Sequence, residues 1–278
     1  MRKAFSLTAT LALALSLGLT QQAGASHAFR AQGQQQEAAK IQSFSPAPLL
    51  SPLQRGAAGR QRFAPRRINE RNRRFQYTIK ASYPQLVGAK EASAAEFNRA
   101  VRELITAQVN DFKKDFEPPD QSIPKEMRES TLDAAYEITY SSADVISILF
   151  SFSVYNAGAV HPNHYTLSLN YDTSAGRALA LADLFKPRSN HLQTISGYVI
   201  KELKKMLGPE VDGDWIERGA APDSENYRSW NITRRGLSIT FDPYQVASYA
   251  DGPQVVLIPY AALRNIINVD GPLGKIKG

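Results

Sequence analysis

The stretch LDAAYEITYSSADVISILFSFSVY, residues 132–155, constrains this chain more than any other. Two runs alternate apolar with polar residues, and turn-forming side chains from Ser141 to Asp144 separate them. A period of two puts one face of a strand against a core and leaves the other face polar. Parallel strands need a crossover of about a dozen residues or more, so runs joined this tightly pair antiparallel. The chain therefore contains a β-hairpin whose apolar face must be covered.

Helical patterns supply the cover. After FQYTIKASYP, expected to be a strand ended by Pro84, Ser93 and Glu96 form a capping box. Phe97, Val101, Leu104, Ile105, Phe112 and Phe116 then recur at helical spacing before Pro118 and Pro119 stop the run. A second helix is expected over 190–207, with Leu192, Ile195, Val199, Leu203 and Leu207 on one stripe and Gly208-Pro209 at its end. YTLSLNYD alternates again, with Tyr165, Leu167, Leu169 and Tyr171 on one face, and SWNIT, LSITFD and QVVLIP return to strands before a short helical AALRNII. Strands and helices do not alternate as βαβ repeats. The fold class is thus α+β, a mainly antiparallel sheet with two packed helices.

The N-terminal quarter is different in kind. Arg2 and Lys3 precede an apolar run of about 16 residues that closes on Ala23-Gly24-Ala25, which predicts a signal peptide over 1–25, cleaved after Ala25. That run is shorter than the roughly 20 residues that span a bilayer, and no later segment is apolar enough, so the mature chain is expected to be periplasmic or secreted and without a transmembrane segment. Residues 26–74 hold ten Arg or Lys and two Glu, show no sustained period, and read as a disordered basic linker. The linker is either a solvated spacer or a contact for envelope polyanions. Residues 75–278 carry 21 basic and 24 acidic residues, so the overall charge of +7 does not belong to the folded body, and nucleic acid is not an expected partner. With no cysteine, neither disulfides nor a lipidated cysteine is available, and about 200 ordered residues must rely on an apolar core. The folded body is expected to divide into a strand-helix-strand subdomain, 75–142, and an α+β domain, 143–278.

Candidate chemistry centres on NAGAVHPNHYTLSLNYD, 156–172. Histidines three residues apart would share a helix face and could ligate zinc, but Pro162 between His161 and His164 disfavours a helix. The nearest further ligands are Asp172 and His191, and no metal site is expected. The stretch reads as a corner between strands, with His161 either bracketing the loop by a hydrogen bond or facing a partner. Asp212 and Asp214, with glycine between them, read as a turn. There is no Gly-x-Ser-x-Gly elbow, cysteine nucleophile, phosphate-cradling glycine loop or dinucleotide fingerprint, so no catalytic residue is assigned and no cofactor is expected. Tyr244, Tyr249 and Tyr260 lie in FDPYQVASYADGPQVVLIPY, where loop tyrosines either stack on sugars and anchor interfaces or cap the core. The binding candidates are His161, Asn163, His164, Tyr244 and Tyr249.

Three stretches carry a resemblance: NAGAVHPNHYTLSLNYDTSAGRALALADLF, ENYRSWNIT and FDPYQVASYADGPQVVLIPYAAL. Their Gly-x-x-His-Pro-Asn corner and Phe-x-x-Tyr-x-x-Ala…Gly…Ile-Pro-Tyr ending resemble the envelope domain shared by the RsiV anti-sigma factors and the peptidoglycan deacetylase PdaC. Residues 143–267 carry the distinctive part, and 75–140 look like the domain that usually precedes it. The resemblance implies an extracytoplasmic module, which binds lysozyme in the RsiV proteins and accompanies a separate catalytic domain in the deacetylase. Neither a sigma-binding segment nor a deacetylase domain is recognisable here, and the resemblance supplies no catalytic residues. The expectation is a non-enzymatic envelope protein recognising a lysozyme-like protein or a peptidoglycan-type glycan. The alternative is an envelope-polymer-modifying enzyme with a non-local site.

Overall fold

The computed structural model describes residues 61–276, apart from 89–90, 115 and 117–119. The expected signal peptide and most of the expected linker lie outside the described residues. Six strands form one sheet in chain order: β1 (Arg62–Asn72), β2 (Tyr77–Val87), β3 (Ser130–Ser141), β4 (Val145–Tyr155), β5 (Asn163–Asp172) and β6 (Arg177–Ala178). All neighbours pair antiparallel except β2 and β3, between which α1 (Glu91–Lys113) makes the crossover. A second antiparallel sheet holds β7 (Trp230–Ile232), β8 (Gly236–Phe241) and β9 (Gln254–Pro259). With it go α2 (His191–Leu207), α3 (Gly213–Gly219) and α4 (Tyr260–Leu263). The protein is α+β with a mainly antiparallel sheet.

Each sheet has its own apolar core, and the helical stripes read from the sequence build both. Phe97, Val101 and Ile105 of α1 are fully buried in one cluster with Ile148, Phe150 and Phe152 of β4. Ile195, Val199 and Leu203 of α2 are fully buried in another with Ile232, Ile239 and Phe241. Burying one such side chain is worth about 1.5–3 kcal/mol, so these stripes account for much of the drive to fold.

What joins the two sheets is polar. The outer face of the β4–β5 hairpin carries Ser147, Thr166, Ser168 and Asn170, and β7 lies across it. Asn170 Nδ2 donates to the Trp230 carbonyl at 2.7 Å, and Ser147 Oγ donates to Asn170 Oδ1 at 2.6 Å. Ser147 Oγ also accepts from Asn231 Nδ2 at 3.0 Å and from the Ile232 amide at 3.1 Å. Ser168 Oγ donates to Asn231 Oδ1 at 2.8 Å. A β-bulge places Thr139 out of register in β3, and its hydroxyl donates to the Ile232 carbonyl at 2.9 Å. Ser147, Asn170 and Asn231 are almost wholly buried, a position polar groups hold cheaply only when paired in this way.

Four expectations require correction. The linker was expected to run to residue 74, yet Arg62–Asn72 is β1, paired along its length with β2. Its arginines hide the strand pattern because it is an edge strand, where charge blocks further pairing, while Phe63 and Ile68 pack on the first core. The boundary at 142/143 falls in the β3–β4 turn, inside one continuous sheet, so it does not separate two bodies. β2 continues through Pro84 to Val87, because its pairing with β3 ends at Ala81 and a missing amide costs nothing on a free side. Asp212 does not mark a simple turn: it caps α3, its Oδ1 accepting from the Asp214 amide at 2.9 Å.

Candidate functional site

The corner between β4 and β5 is held from below. Gly158 takes the left-handed φ of 80° that the bend requires, and its amide donates to the Met127 carbonyl at 3.1 Å. The Ala157 amide donates to Ser130 Oγ at 2.9 Å. Val160, at the tip, is 97% exposed. Pro162 then turns the chain into β5, whose first residue, the exposed Asn163, pairs with Val154.

His161 folds back on this corner. Its Nδ1 lies 2.8 Å from the Pro162 carbonyl, an acceptor, so Nδ1 carries the proton and Nε2 of the neutral ring is left to accept. The Tyr244 hydroxyl faces Nε2 at 3.4 Å, and the Tyr249 hydroxyl donates to the same Pro162 carbonyl at 3.0 Å. The His161 ring stacks on Tyr249 with centroids 4.0 Å apart; His164 lies 6.0 Å and Tyr244 5.5 Å from Tyr249. Four of the five candidates, drawn from segments 80 residues apart in the chain, thus form one aromatic corner. His161 is the half-buried bracket of its loop and at the same time part of a partly open cluster.

The second wall, the loop after β8, is fixed more firmly than its exposure suggests. Tyr244 holds a left-handed φ of 69° and is 54% exposed. Trp215 Nε1 donates to its carbonyl at 3.1 Å. Gln245 Nε2 donates to the carbonyls of Gly219 at 3.1 Å and Asn226 at 2.9 Å, and a side-chain carbon at Gly219 would fall 1.9 Å from the Gln245 carbonyl oxygen. Val246 and Ala247 are buried, and Asp251 closes a capping box on Ser248, fixing Tyr249 at the start of a 3₁₀ turn. At the loop's origin Asp242 Oδ1 accepts from the Thr166 amide at 2.9 Å and hydroxyl at 2.7 Å. A non-glycine residue in strained backbone within so well-anchored a loop is a common mark of function.

Electrostatics follow burial. Burial, with His161 adding to it, holds the His164 imidazole below its ordinary value. Burial pushes the Asp242 carboxyl up against the opposing effect of its two Thr166 hydrogen bonds. Burial and the neighbouring Tyr244 raise Tyr249.

The other residues weighed from the sequence lie apart. Tyr260 turns into the second core and donates to the Thr233 carbonyl at 2.8 Å. Asp172 caps the turn after β5 through the amides of Ser174 and Ala175, both at 2.9 Å, and His191 stacks on Phe185 with centroids 5.1 Å apart. Among the described residues no group of three or more His, Asp or Glu is placed to hold a metal ion. Trp215, Gly219 and Gln245, which position the second wall, were not singled out by sequence: their spacing to Tyr244 has no local period.

Two family models match in tandem, one described as deacetylase PdaC over residues 69–164 and one as a protein of unknown function, DUF3298, over 182–261. The chain is thus similar to each of these domains over its own segment. His161 and His164 close the first matched segment, and Tyr244 and Tyr249 lie in the second, so the corner is assembled across both.

The peptidoglycan-N-acetylmuramic acid deacetylase PdaC of Bacillus subtilis is 28% identical over 193 residues, 69% of this chain and 39% of that protein. Immunogenic protein MPT64 of Mycobacterium tuberculosis is 27% identical over 143 residues, 49% of this chain and 61% of that protein. This chain therefore spans about two fifths of the first relative's length and about three fifths of the second's. A DUF3298-family crystal structure from Bacteroides fragilis superimposes with a TM-score of 0.59 at 18% identity, over 80% of this chain and 99% of the other. One from Pseudomonas aeruginosa gives 0.50 at 12% identity, over 74% and 94%. These two likenesses establish the fold alone. The matched domains suggest a cell-envelope-associated protein. No helix among the described residues is long and apolar enough to cross a membrane.

Proposed function

We propose that this protein is a secreted or periplasmic, non-enzymatic binding protein of the cell envelope, and that the aromatic corner is its contact for a peptidoglycan-type glycan or an envelope protein. The observation that carries the reading is the convergence of His161, His164, Tyr244 and Tyr249 on a partly exposed cluster. Ring faces held by hydrogen bonds lose little entropy when they stack on a partner, which suits sugar rings and protein side chains alike. The relative named as a peptidoglycan deacetylase supports a peptidoglycan-type ligand.

A second reading, an enzyme that modifies envelope polymer, is favoured by that same name and by the half-buried Asp242 carboxyl, whose affinity for a proton burial raises. Incubation of the full chain with purified peptidoglycan separates the two. The binding reading expects sedimentation with the polymer, or capture of immobilised lysozyme, with an unaltered muropeptide profile. New muropeptides in a digest, without stable retention, would favour the enzyme.

A further inference from the structure

The strands that carry the corner also form an open shelf beside it. Register places Asn69 of β1 opposite Lys80 of β2, Lys80 beside Asp133 of β3, Asp133 opposite Ser153 of β4, and Ser153 opposite His164 of β5. Residues in register on neighbouring strands project from the same face. This row crosses five strands on the face turned away from α1, spanning roughly 19 Å at the usual strand separation. It ends at His164, against the ring of Tyr249.

The cover provided by the second sheet stops just short of the row. Thr166, two residues along β5 from His164, is tied to that part of the chain by hydrogen bonds to Ser229 and Asp242, and His164 meets it at the ring of Tyr249. Beyond it, Asn69, Lys80 and Asp133 are exposed and Ser153 is half-buried. The next row out runs from Arg71 through Thr78 and Thr131 to Tyr155.

The chemistry of the shelf narrows its occupant. An amide, an ammonium, a carboxylate, a hydroxyl and an imidazole follow one another, so donors and acceptors of every kind are available. Along the row one ammonium stands beside one carboxylate, Lys80 in register with Asp133, and in the next row Arg71 pairs with Glu129 at 3.3 Å. A polyanion needs an excess of positive charge and an amphipathic helix needs an apolar groove, and this row has neither. A hydroxyl-rich, N-acylated sugar chain needs mixed donors and acceptors along its edges and aromatic rings under its apolar faces.

Building on the glycan arm of the reading above, we infer that the shelf seats an extended N-acylated glycan strand. It lies across β2 to β5, with one sugar on the rings of Tyr249 and Tyr244 and the following sugars over Ser153, Asp133 and Lys80. Ser153 and Lys80 then set how long a glycan must be to bind well.

The test measures retention of the full chain on peptide-free peptidoglycan glycan strands and on chitooligosaccharides of increasing length, for the native protein, Ser153→Arg, Lys80→Ala and Tyr244→Gly. Ser153→Arg is expected to weaken binding of long glycans at least tenfold, and Lys80→Ala several-fold, with thermal midpoints unchanged and affinity in the native chain rising with glycan length. Should Ser153→Arg unfold the protein, Lys80→Ala decides. If both shelf variants bind as the native chain does while Tyr244→Gly has lost binding, the shelf is overturned and the corner stands. Retention of lysozyme but of no glycan by the native chain would overturn the shelf together with the glycan arm of the proposed function.

Discussion

β5 meets the C-terminal part of the chain twice, and the two meetings are of opposite kind. At Thr166, Ser168 and Asn170 the contact runs from half-buried to buried, and polar groups of both partners satisfy one another. At His161 and His164, a few residues earlier, the contact is made by ring faces in an open cluster with Tyr244 and Tyr249. The first meeting fixes how the sheets lie together, since hydrogen bonds are directional and a slip would orphan several buried groups. The second holds a tyrosine in strained backbone and leaves it more than half exposed, which adds little to stability. One strand thus carries a joint and a proposed contact surface side by side.

The sharpest way to break that contrast is in the joint. Asn170→Ala removes the partner of the Trp230 carbonyl and of Ser147 Oγ and should cost on the order of 3 kcal/mol in urea unfolding, since each orphaned buried group costs about 1–3 kcal/mol. A loss no larger than that of an ordinary surface substitution would mean that the polar seam does not hold the sheets.

Gly219→Ala comes next. The added carbon collides with the Gln245 carbonyl, and relief of such an overlap costs about 1–3 kcal/mol. Because the collision displaces the wall that carries Tyr244, envelope ligand binding should fall with stability, as calorimetry and sedimentation can follow together.

Tyr244→Gly should separate the two properties. Glycine accepts the left-handed backbone freely, so stability should stay level or rise by about 1 kcal/mol, while retention on envelope ligand falls tenfold or more. Stability and binding falling together would instead assign Tyr244 to the fold.

The smallest effects are in pH. Burial lowers the His164 pKa, so the native state takes up its proton less readily than the unfolded chain; the stability this contributes is present above the ordinary value of 6.5 and is lost as pH falls below it. Burial raises Asp242, so its contribution runs the other way, present below the ordinary value of 3.8 and lost as pH rises through the elevated one. In unfolding curves against pH, His164→Gln should flatten the acid side below 6.5, and Asp242→Asn should flatten the rise of destabilisation above 3.8.

Both apolar cores were legible in the sequence because a helical stripe and an alternating strand write burial directly into residue order: Ile195, Val199 and Leu203 were readable, and so was the inward face of β5. β1 was not, because an edge strand needs little apolar pattern and its arginines resemble a linker. The seam was hidden for a related reason, since Ser168, Asn170 and Asn231 look like ordinary outward polar positions until β7 lies over them. Each wall of the aromatic corner was visible separately, in the His-x-x-His stretch and in the tyrosine loop. Their meeting depends on a contact across about 80 residues, and the pieces that enforce it, Trp215, Gly219 and Gln245, carry no local signal. The proline that spoils a helical metal motif at His161 supplies the carbonyl to which two of the rings are tied.

The most direct test of the corner as a binding surface uses the histidines themselves, of which the chain has four. Imidazole resonances of the ¹⁵N-labelled protein would be followed while peptide-free peptidoglycan glycan is added to saturation. The proposal expects the His161 and His164 signals to move together along one binding curve, while His191, stacked on Phe185 in another part of the molecule, stays in place. Saturable binding that leaves His161 and His164 unmoved would contradict it.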